Sequence, residues 1–194
     1  RLQTDKETRL VNTSSAEPFP SRFTLWLTGL GIAHELARSA QENGCVERFN
    51  RTWYERVVAG QTFQDYEDLQ AASDVELEWI NQRLPSQGRT CQGRPPLEAY
   101  PQAEQPRRAY AVDKELDLFT MDRVYQFLAH QHWWRKVSQV GQFSLGNQQY
   151  GLGCAHANQD VRVAFDPDAV EFVVEDAQGE EIACLAPKGL TVKE

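Results

Sequence analysis

The stretch QENGCVERFNRTW at residues 41–53 decides how this chain is interpreted. It opens with a turn signal at Asn43 and Gly44 and continues with the period of an amphipathic helix. Four apolar residues follow at helical steps of three and four, namely Val46, Phe49, Trp53 and Val57. We therefore predict a helix from Cys45 to about Val58 that buries this apolar stripe.

A polar face lies beside the stripe, and Glu47 opens it. Residues three and four apart stack on a helix, so Glu47 shares this face with Arg51 and Tyr54. Glu47 falls in the first turn, where the positive end of the helix dipole favours a negative charge. A helical glutamate is usually a solvated surface residue, and Arg51 can simply pair with Glu47 or Glu55 at helical spacing.

The residues before this helix predict a strand, a helix and a second strand. Residues 1–4 are extended and lead to Asp5. Ser21 is a typical N-cap for a helix that Gly29 and Gly31 would end. Residues 32–37 alternate between apolar and polar side chains like a short strand.

Further helices are predicted after the central one. Residues 66–82 predict a long helix, residues 96–100 a single turn and residues 122–130 a short helix. The core candidates of the long helix are Leu69, Ala72, Leu77 and Ile80.

The last third of the chain changes to short strands separated by glycine-containing turns. The predicted strands cover residues 132–138, 142–145, 148–152, 160–165, 170–175 and 181–185. So many strands in so few residues predict a small antiparallel barrel or a curled sheet. Because alternate strand residues face inward, we expect one of Trp133 and Trp134 in its core.

The run from Asn43 to Thr52 resembles a stretch of the transposases and integrases that use an Asp-Asp-Glu triad on a ribonuclease H-like fold. In that family the stretch carries the third acidic residue, which falls on Glu47. The second acidic residue follows a strand in a Thr-Asp-Asn-Gly run, and Thr4-Asp5 fits that position.

The match around Asp5 departs from the family pattern at the next two residues. Lys6 and Glu7 stand where the family usually shows Asn-Gly. The first acidic residue of the triad would lie on a strand upstream of Arg1. The resemblance therefore implies only part of a catalytic site in this chain.

Other stretches extend the resemblance over nearly the whole chain. NQRLP at 81–85 and RPPLEAY at 94–100 are similar to the end of the family's catalytic domain. VGQFSLGNQQYGLG at 140–153 and VRVAFDP at 161–167 are similar to the small C-terminal barrel of insertion-sequence transposases.

The implied fold class is α/β plus β. The C-terminal part of a ribonuclease H-like catalytic core would occupy residues 1–100, and a linker with a short helix residues 101–130. A small Src-homology-type antiparallel β-barrel would follow at residues 131–194.

The implied activity is metal-dependent phosphoryl transfer that joins DNA strands. Two Mg²⁺ or Mn²⁺ ions, held by carboxylates, activate the attacking oxygen and stabilise the leaving oxygen. By resemblance, Asp5 and Glu47 are both metal ligands and catalytic residues. Since the first acidic residue is missing, we expect this chain alone to bind metal weakly and to leave DNA uncut.

The resemblance implies DNA as the partner, both element ends and target, and a homo-oligomer in the intact form. Five residues are candidate DNA contacts: Arg51, Tyr54, Arg94, Arg135 and Lys136. Arg89, Arg107 and Arg108 can follow a phosphate backbone or simply keep a loop solvated.

The net charge of −8 opposes a simple DNA-binding interpretation. Residues 140–194 hold nine acidic and three basic side chains, which phosphate would repel. This charge, together with the Lys6-Glu7 departure, favours the alternative of a degenerate, non-catalytic remnant that binds DNA or protein. A different ribonuclease H-like nuclease is a third hypothesis, which the run from Asn43 to Thr52 disfavours.

Cysteine spacing and hydropathy predict a chain of the reducing cytoplasm. None of the cysteines pairs at a C-x-x-C spacing, so we expect ordinary thiols rather than a zinc site or disulfides. They are Cys45, Cys91, Cys154 and Cys184. No apolar run reaches the roughly 18 residues of a membrane span, and no signal-peptide pattern is present. We expect a prokaryotic, nucleoid-associated protein with no membrane partner.

Overall fold

The computed structural model describes residues 1–7, 10–12, 18–88, 90–105 and 111–190, without the side chains of residues 40 and 41. The chain forms two compact units. The first unit joins Arg1–Leu36 to Val112–Glu194, and the second is Ala37–Ala111. Both helices and open sheets are present, so the chain is a mixed α and β protein.

The first unit begins with a strand–helix–strand arrangement. Strand β1 (Leu2–Thr4) pairs in parallel with β2 (His34–Leu36), and helix α1 (Arg22–Gly29) lies between them in sequence. Parallel neighbours need a crossover connection, which α1 supplies. The predicted cap is confirmed, because Ser21 Oγ accepts the Thr24 N–H at 3.1 Å.

The C-terminal part of the first unit contains six antiparallel strands in two sheets. One sheet has the order β3 (His132–Lys136), β6 (Asp160–Asp166), β7 (Glu171–Glu175) and β8 (Glu181–Leu185). The other pairs β4 (Gln142–Leu145) with β5 (Gln148–Gly151). All six predicted strands are confirmed to within two residues.

The predicted closed barrel is wrong, because both sheets are open within the described residues. In the four-stranded sheet β3 pairs only with β6, and β8 only with β7. The chain leaves β3 through a tight turn in which Gly141 has φ +75°, and β4 and β5 then pair with each other. Alternation along a strand predicts which side chains face inward but not which edges meet.

The core of the first unit is built on Trp133, whose side chain is 1% exposed. The Phe19 ring packs on it with centroids 4.9 Å apart, and the Phe172 ring meets it edge-on at 6.2 Å. Helix α6 (Met121–Ala129) adds Val124 and other buried residues from one side. Trp134 is 44% exposed, so the expectation that one of the two tryptophans lies in the core is confirmed.

The second unit is helical. Helix α2 (Gly44–Trp53) continues as a π-helical turn (Tyr54–Val58) and is followed by α3 (Tyr66–Arg83) and α4 (Pro96–Ala99). The predicted helices are confirmed. Within the candidate core of α3, Ile80 is buried, while the other three positions are half-buried.

The predicted burial of the α2 stripe is wrong in its first half. Val57 is 3% exposed, but Val46 is 60% and Phe49 is 42% exposed. Helix α3 contacts the later part of this stretch, where Trp53 Nε1 donates to Ser73 Oγ at 3.3 Å. Helical periodicity identifies an apolar face, but a neighbouring element must be present to cover it.

Short elements complete the two units. They are 3₁₀ turns at Ala40–Asn43, Pro101–Glu104, Val112–Lys114 and Cys154–His156, and the single-turn helix α5 (Glu115–Leu118). Within the described ranges, no helix combines the length and apolar character that a membrane crossing requires.

We predict that Trp133→Ala lowers the free energy of unfolding of the first unit by about 3–5 kcal/mol, because it leaves a large cavity in a closed core. Trp134→Ala, the matched control on the outer face of the same strand, should cost less than about 1 kcal/mol. Urea unfolding followed by near-ultraviolet circular dichroism measures both. Equal losses in the two variants would contradict this description of the core.

Candidate functional site

Asp5 lies at the carboxyl end of a parallel strand. The β1–β2 pairing ends with Thr4 opposite Leu36, so Asp5 is the first residue past the ladder. Ligands of parallel sheets commonly bind outside the carboxyl ends of the strands. Asp5 is exposed, and its position therefore suits a metal or ligand contact.

Asp5 also has a structural role in the loop that it opens. Its Oδ1 accepts the N–H of Glu7 at 3.2 Å, which is the side-chain bond of an Asx turn. Its carbonyl oxygen accepts the Thr4 hydroxyl at 3.1 Å. Lys6 and Glu7, which replace the Asn-Gly of the motif, are thus compatible with a tight turn after β1.

Glu47 projects from the first turn of α2 and is exposed. Among the described residues it makes no hydrogen bond or ion pair. The helix N-terminus supplies partial positive charge beside it. An exposed carboxylate without a protein partner at this place is available to bind a cation.

Arg51 and Tyr54 follow Glu47 on the same helix, one and two turns later, and both are exposed. Within the described part of the chain, Arg51 forms an ion pair with neither Glu47 nor Glu55. Arg56 differs, because its guanidinium is paired with the carboxylate of another helix and lies 4.1 Å from the Trp79 ring centroid. Arg51 is thus free to contact a phosphate, whereas Arg56 is used in packing.

The candidate DNA-contacting residues outside α2 differ in whether their charged groups are exposed or already bonded. Arg94 is exposed in a loop whose backbone is fixed by bonds with Ser86 and Cys91. Lys136 is exposed at the end of β3. The basic residues at positions 89, 107 and 108 lie outside the described residues.

Arg135 is already engaged within the first unit. Its Nε donates to the Ser144 carbonyl oxygen at 3.1 Å, and Nη1 donates to the Trp134 carbonyl oxygen at 2.7 Å. The bond to Ser144 connects β3 to β4. A DNA contact by Arg135 would therefore have to use its remaining donors or break these bonds.

The predicted site residues divide between the two units. Asp5, Arg135 and Lys136 belong to the first. The second unit holds Glu47, Arg51, Tyr54 and Arg94, of which the first three share one helix. Over the described ranges, no three His, Cys, Asp or Glu side chains group to hold a metal ion. The joint metal site of Asp5 and Glu47 stays a prediction.

Sequence reasoning missed His34, which the structure places beside the strand that ends at Asp5. Its Nε2 is 2.8 Å from Thr4 Oγ1, and its Nδ1 is 2.9 Å from Thr24 Oγ1. Burial lowers the pKa of His34 below its usual value of 6.5. Thr4, directly before Asp5, was the sequence signal for such a contact. Its histidine partner is 30 positions away, so the pair could not be predicted from spacing.

We predict that Asp5→Asn folds with wild-type stability and that Glu47→Gln costs less than about 1 kcal/mol, the contribution of a charge near the helix N-terminus. Asparagine keeps the acceptor oxygen of the Asx turn, and Glu47 makes no bond with a described residue that the amide would break. Asp5→Ala should cost roughly 0.5–1 kcal/mol, because the Glu7 N–H loses its acceptor. Thermal unfolding of the three variants measures this, and a large loss in either amide variant would disprove the assignment.

Comparison with known proteins leaves these residues without an independent assignment. No protein-family model matches the chain, and no curated protein shows significant sequence similarity to it. The functional interpretation therefore depends on the motif around Glu47 and on the surroundings of Asp5 and Glu47.

Proposed function

We propose that this chain is the C-terminal portion of a DNA transposase of the Asp-Asp-Glu, ribonuclease H-like superfamily. Asp5 and Glu47 would be the second and third acidic residues of its metal site. The observation that carries the proposal is Glu47, which lies in the Asn43–Thr52 motif. Its carboxylate is exposed in the first turn of α2 and bonds to none of the residues that the structure describes.

The position of Asp5 supports the same function. A β–α–β crossover with an acidic residue at the carboxyl end of its first strand is the kind of element that presents a metal ligand in α/β proteins. In this proposal residues 1–100 are the end of a ribonuclease H-like core, and residues 131–194 are a Src-homology-type module made of open sheets.

The chemistry explains why carboxylates are needed at these positions. Strand transfer is an in-line displacement at phosphorus, in which two Mg²⁺ or Mn²⁺ ions stabilise the attacking and leaving oxygens. Asp5 and Glu47 would hold the ions, and Arg51 would hold a DNA phosphate one helical turn from Glu47. The first acidic residue of the triad would complete this site in the intact catalytic core.

The exposed apolar residues of α2 fit this proposal. Val46 and Phe49 have the spacing of a buried stripe and yet are 60% and 42% exposed. A helix with such a face needs an apolar partner. We propose that the remainder of the catalytic core covers it in the intact protein, which would act on DNA as a homo-oligomer.

The second candidate function is a non-catalytic remnant that binds protein or DNA. Two observations favour it: nine acidic against three basic side chains in residues 140–194, and the use of Arg135 to join β3 to β4. A module with this charge is poorly suited to a phosphate backbone. Self-association without salt-dependent DNA binding would select this candidate over the transposase.

We predict that Glu47→Gln, in a protein that also carries the upstream acidic strand, lowers the rate of Mg²⁺-dependent strand transfer at least about a hundredfold. A catalytic metal ion contributes several kcal/mol to the barrier, and each 1.36 kcal/mol is a factor of ten. Asp5→Asn should give a similar loss. Glu55→Gln, an exposed carboxylate on the same helical stretch, is the matched control and should retain activity. Equal rates for wild type and Glu47→Gln would exclude the proposed role.

We also predict that Arg51→Ala lowers the slope of log K against log salt for duplex DNA binding by about one, because one phosphate contact is lost. The effect should be the same for unrelated DNA sequences, since a phosphate contact carries no sequence information. Fluorescence anisotropy at several salt concentrations measures the slope. Arg83→Ala, an exposed arginine of α3, is the control, and identical slopes for both variants would refute the Arg51 contact.

A further inference from the structure

Local bonds orient the backbone at Asp5, one residue past the end of the β-ladder. The last pair of the β1–β2 ladder joins Thr4 to Leu36. Past that pair, the Thr4 hydroxyl donates to the Asp5 carbonyl oxygen, and the Glu7 N–H donates to the Asp5 carboxylate. Whatever fixes the Thr4 hydroxyl therefore also fixes the direction in which the chain leaves β1.

The Thr4 hydroxyl is fixed by His34. The imidazole Nε2 lies 2.8 Å from Thr4 Oγ1, and the opposite nitrogen lies 2.9 Å from Thr24 Oγ1. A ring held at both nitrogens has one orientation. His34 therefore joins the strand that ends at Asp5 to the first turn of α1.

The chain of bonds continues to the other end of the loop that Asp5 opens. Thr24 Oγ1 is 2.9 Å from Ser21 Oγ, and the Ser21 hydroxyl donates to the Leu10 carbonyl oxygen. The carbonyl groups of Asp5 and Leu10 are thus the two ends of one hydrogen-bonded chain. His34 lies at its centre.

The number of available protons shows that the protonation state of the His34 imidazole matters to this hydrogen-bonded chain. Five contacts need a proton from a hydroxyl or from the ring. Three hydroxyls and a neutral imidazole supply four protons, and an imidazolium supplies the fifth. With neutral His34 one contact lacks a proton.

We propose that His34 is a positioning residue for Asp5. By holding the Thr4 hydroxyl it sets the orientation of the backbone that presents the Asp5 carboxylate. The inference rests on the proposed function only in treating that carboxylate as a metal ligand. The hydrogen-bonded chain itself is tested separately below.

Among the described residues, two threonine hydroxyls and one aromatic ring contact the His34 imidazole. The Phe23 ring meets it edge-on with centroids 5.2 Å apart. Its hydrogen bonds to described residues go to Thr4 and Thr24, neither of which is charged. Charged residues on the elements packed around it are Arg22 on α1, Glu35 on β2 with its ion-pair partner Arg1, Asp5 after β1, and Asp122 and Arg123 on α6.

The first experiment follows the His34 ring by ¹⁵N nuclear magnetic resonance of the 194-residue chain from pH 4.5 to 8. In Thr4→Val the imidazolium loses an acceptor, so the pKa of His34 should fall by about 1 relative to wild type. Thr4→Ser keeps the hydroxyl and should restore the wild-type titration. An unchanged pKa in Thr4→Val would overturn the hydrogen-bonded chain, with no reference to metal or DNA.

The second experiment uses Mn²⁺ as a probe. Its paramagnetic broadening of the amide signals of residues 4–7, abolished in Asp5→Asn, reports binding at Asp5. Thr4→Val and His34→Phe should weaken that binding about tenfold, as outer partners of a ligand do, while Thr4→Ser should bind as wild type does. The His34 titration should also contribute to the pH dependence of the wild-type affinity, and this contribution should be absent in Thr4→Val.

The outcomes separate the inference from the proposed function. Wild-type affinity in Thr4→Val and His34→Phe would overturn the positioning role while leaving Asp5 as a ligand. Wild-type protein without Asp5-dependent broadening would instead overturn the metal role of Asp5 in the proposed function. His34→Phe changes a half-buried side chain. If that variant unfolds, the comparison of Thr4→Val with Thr4→Ser decides the result.

Discussion

The packing of Phe19 on Trp133 is the interaction on which the first unit depends. Phe19 precedes α1, whereas Trp133 lies on β3, and their rings also meet Phe172 of the sheet. This contact joins residues more than a hundred positions apart, so the β1–α1–β2 arrangement is built on the C-terminal sheets. The β1–α1–β2 arrangement that positions Asp5 is therefore stabilised by core residues that are distant from Asp5 in the sequence.

Asp5 and Glu47 have different local environments, although the family resemblance implies the same role for both. Asp5 is held by an Asx turn and by the hydroxyl chain that runs through His34. Glu47 projects from a helix with only the helix N-terminus to stabilise its charge. The position of Asp5 is therefore set by its neighbours, whereas no bond to a described residue fixes the Glu47 side chain.

Local elements were predictable from the sequence because their causes are local. Ser21 caps α1 through a hydroxyl three residues from its partner, and alternation along β3 predicts that only one of Trp133 and Trp134 is in the core. Features that depend on distant residues were not predictable. Phe49 is exposed because no described element covers that part of α2, and His34 finds Thr4 only after β1 and β2 pair.

The bond from Arg135 to the Ser144 carbonyl oxygen of β4 has a consequence for the behaviour of the chain at high concentration. An open sheet exposes backbone donors and acceptors along its edge strands, which can recruit strands from other molecules and start aggregation. β3 is such an edge, and Arg135 brings β4 against it through the Ser144 carbonyl oxygen. Its guanidinium, with the exposed charge of Lys136, therefore discourages association of copies through this edge.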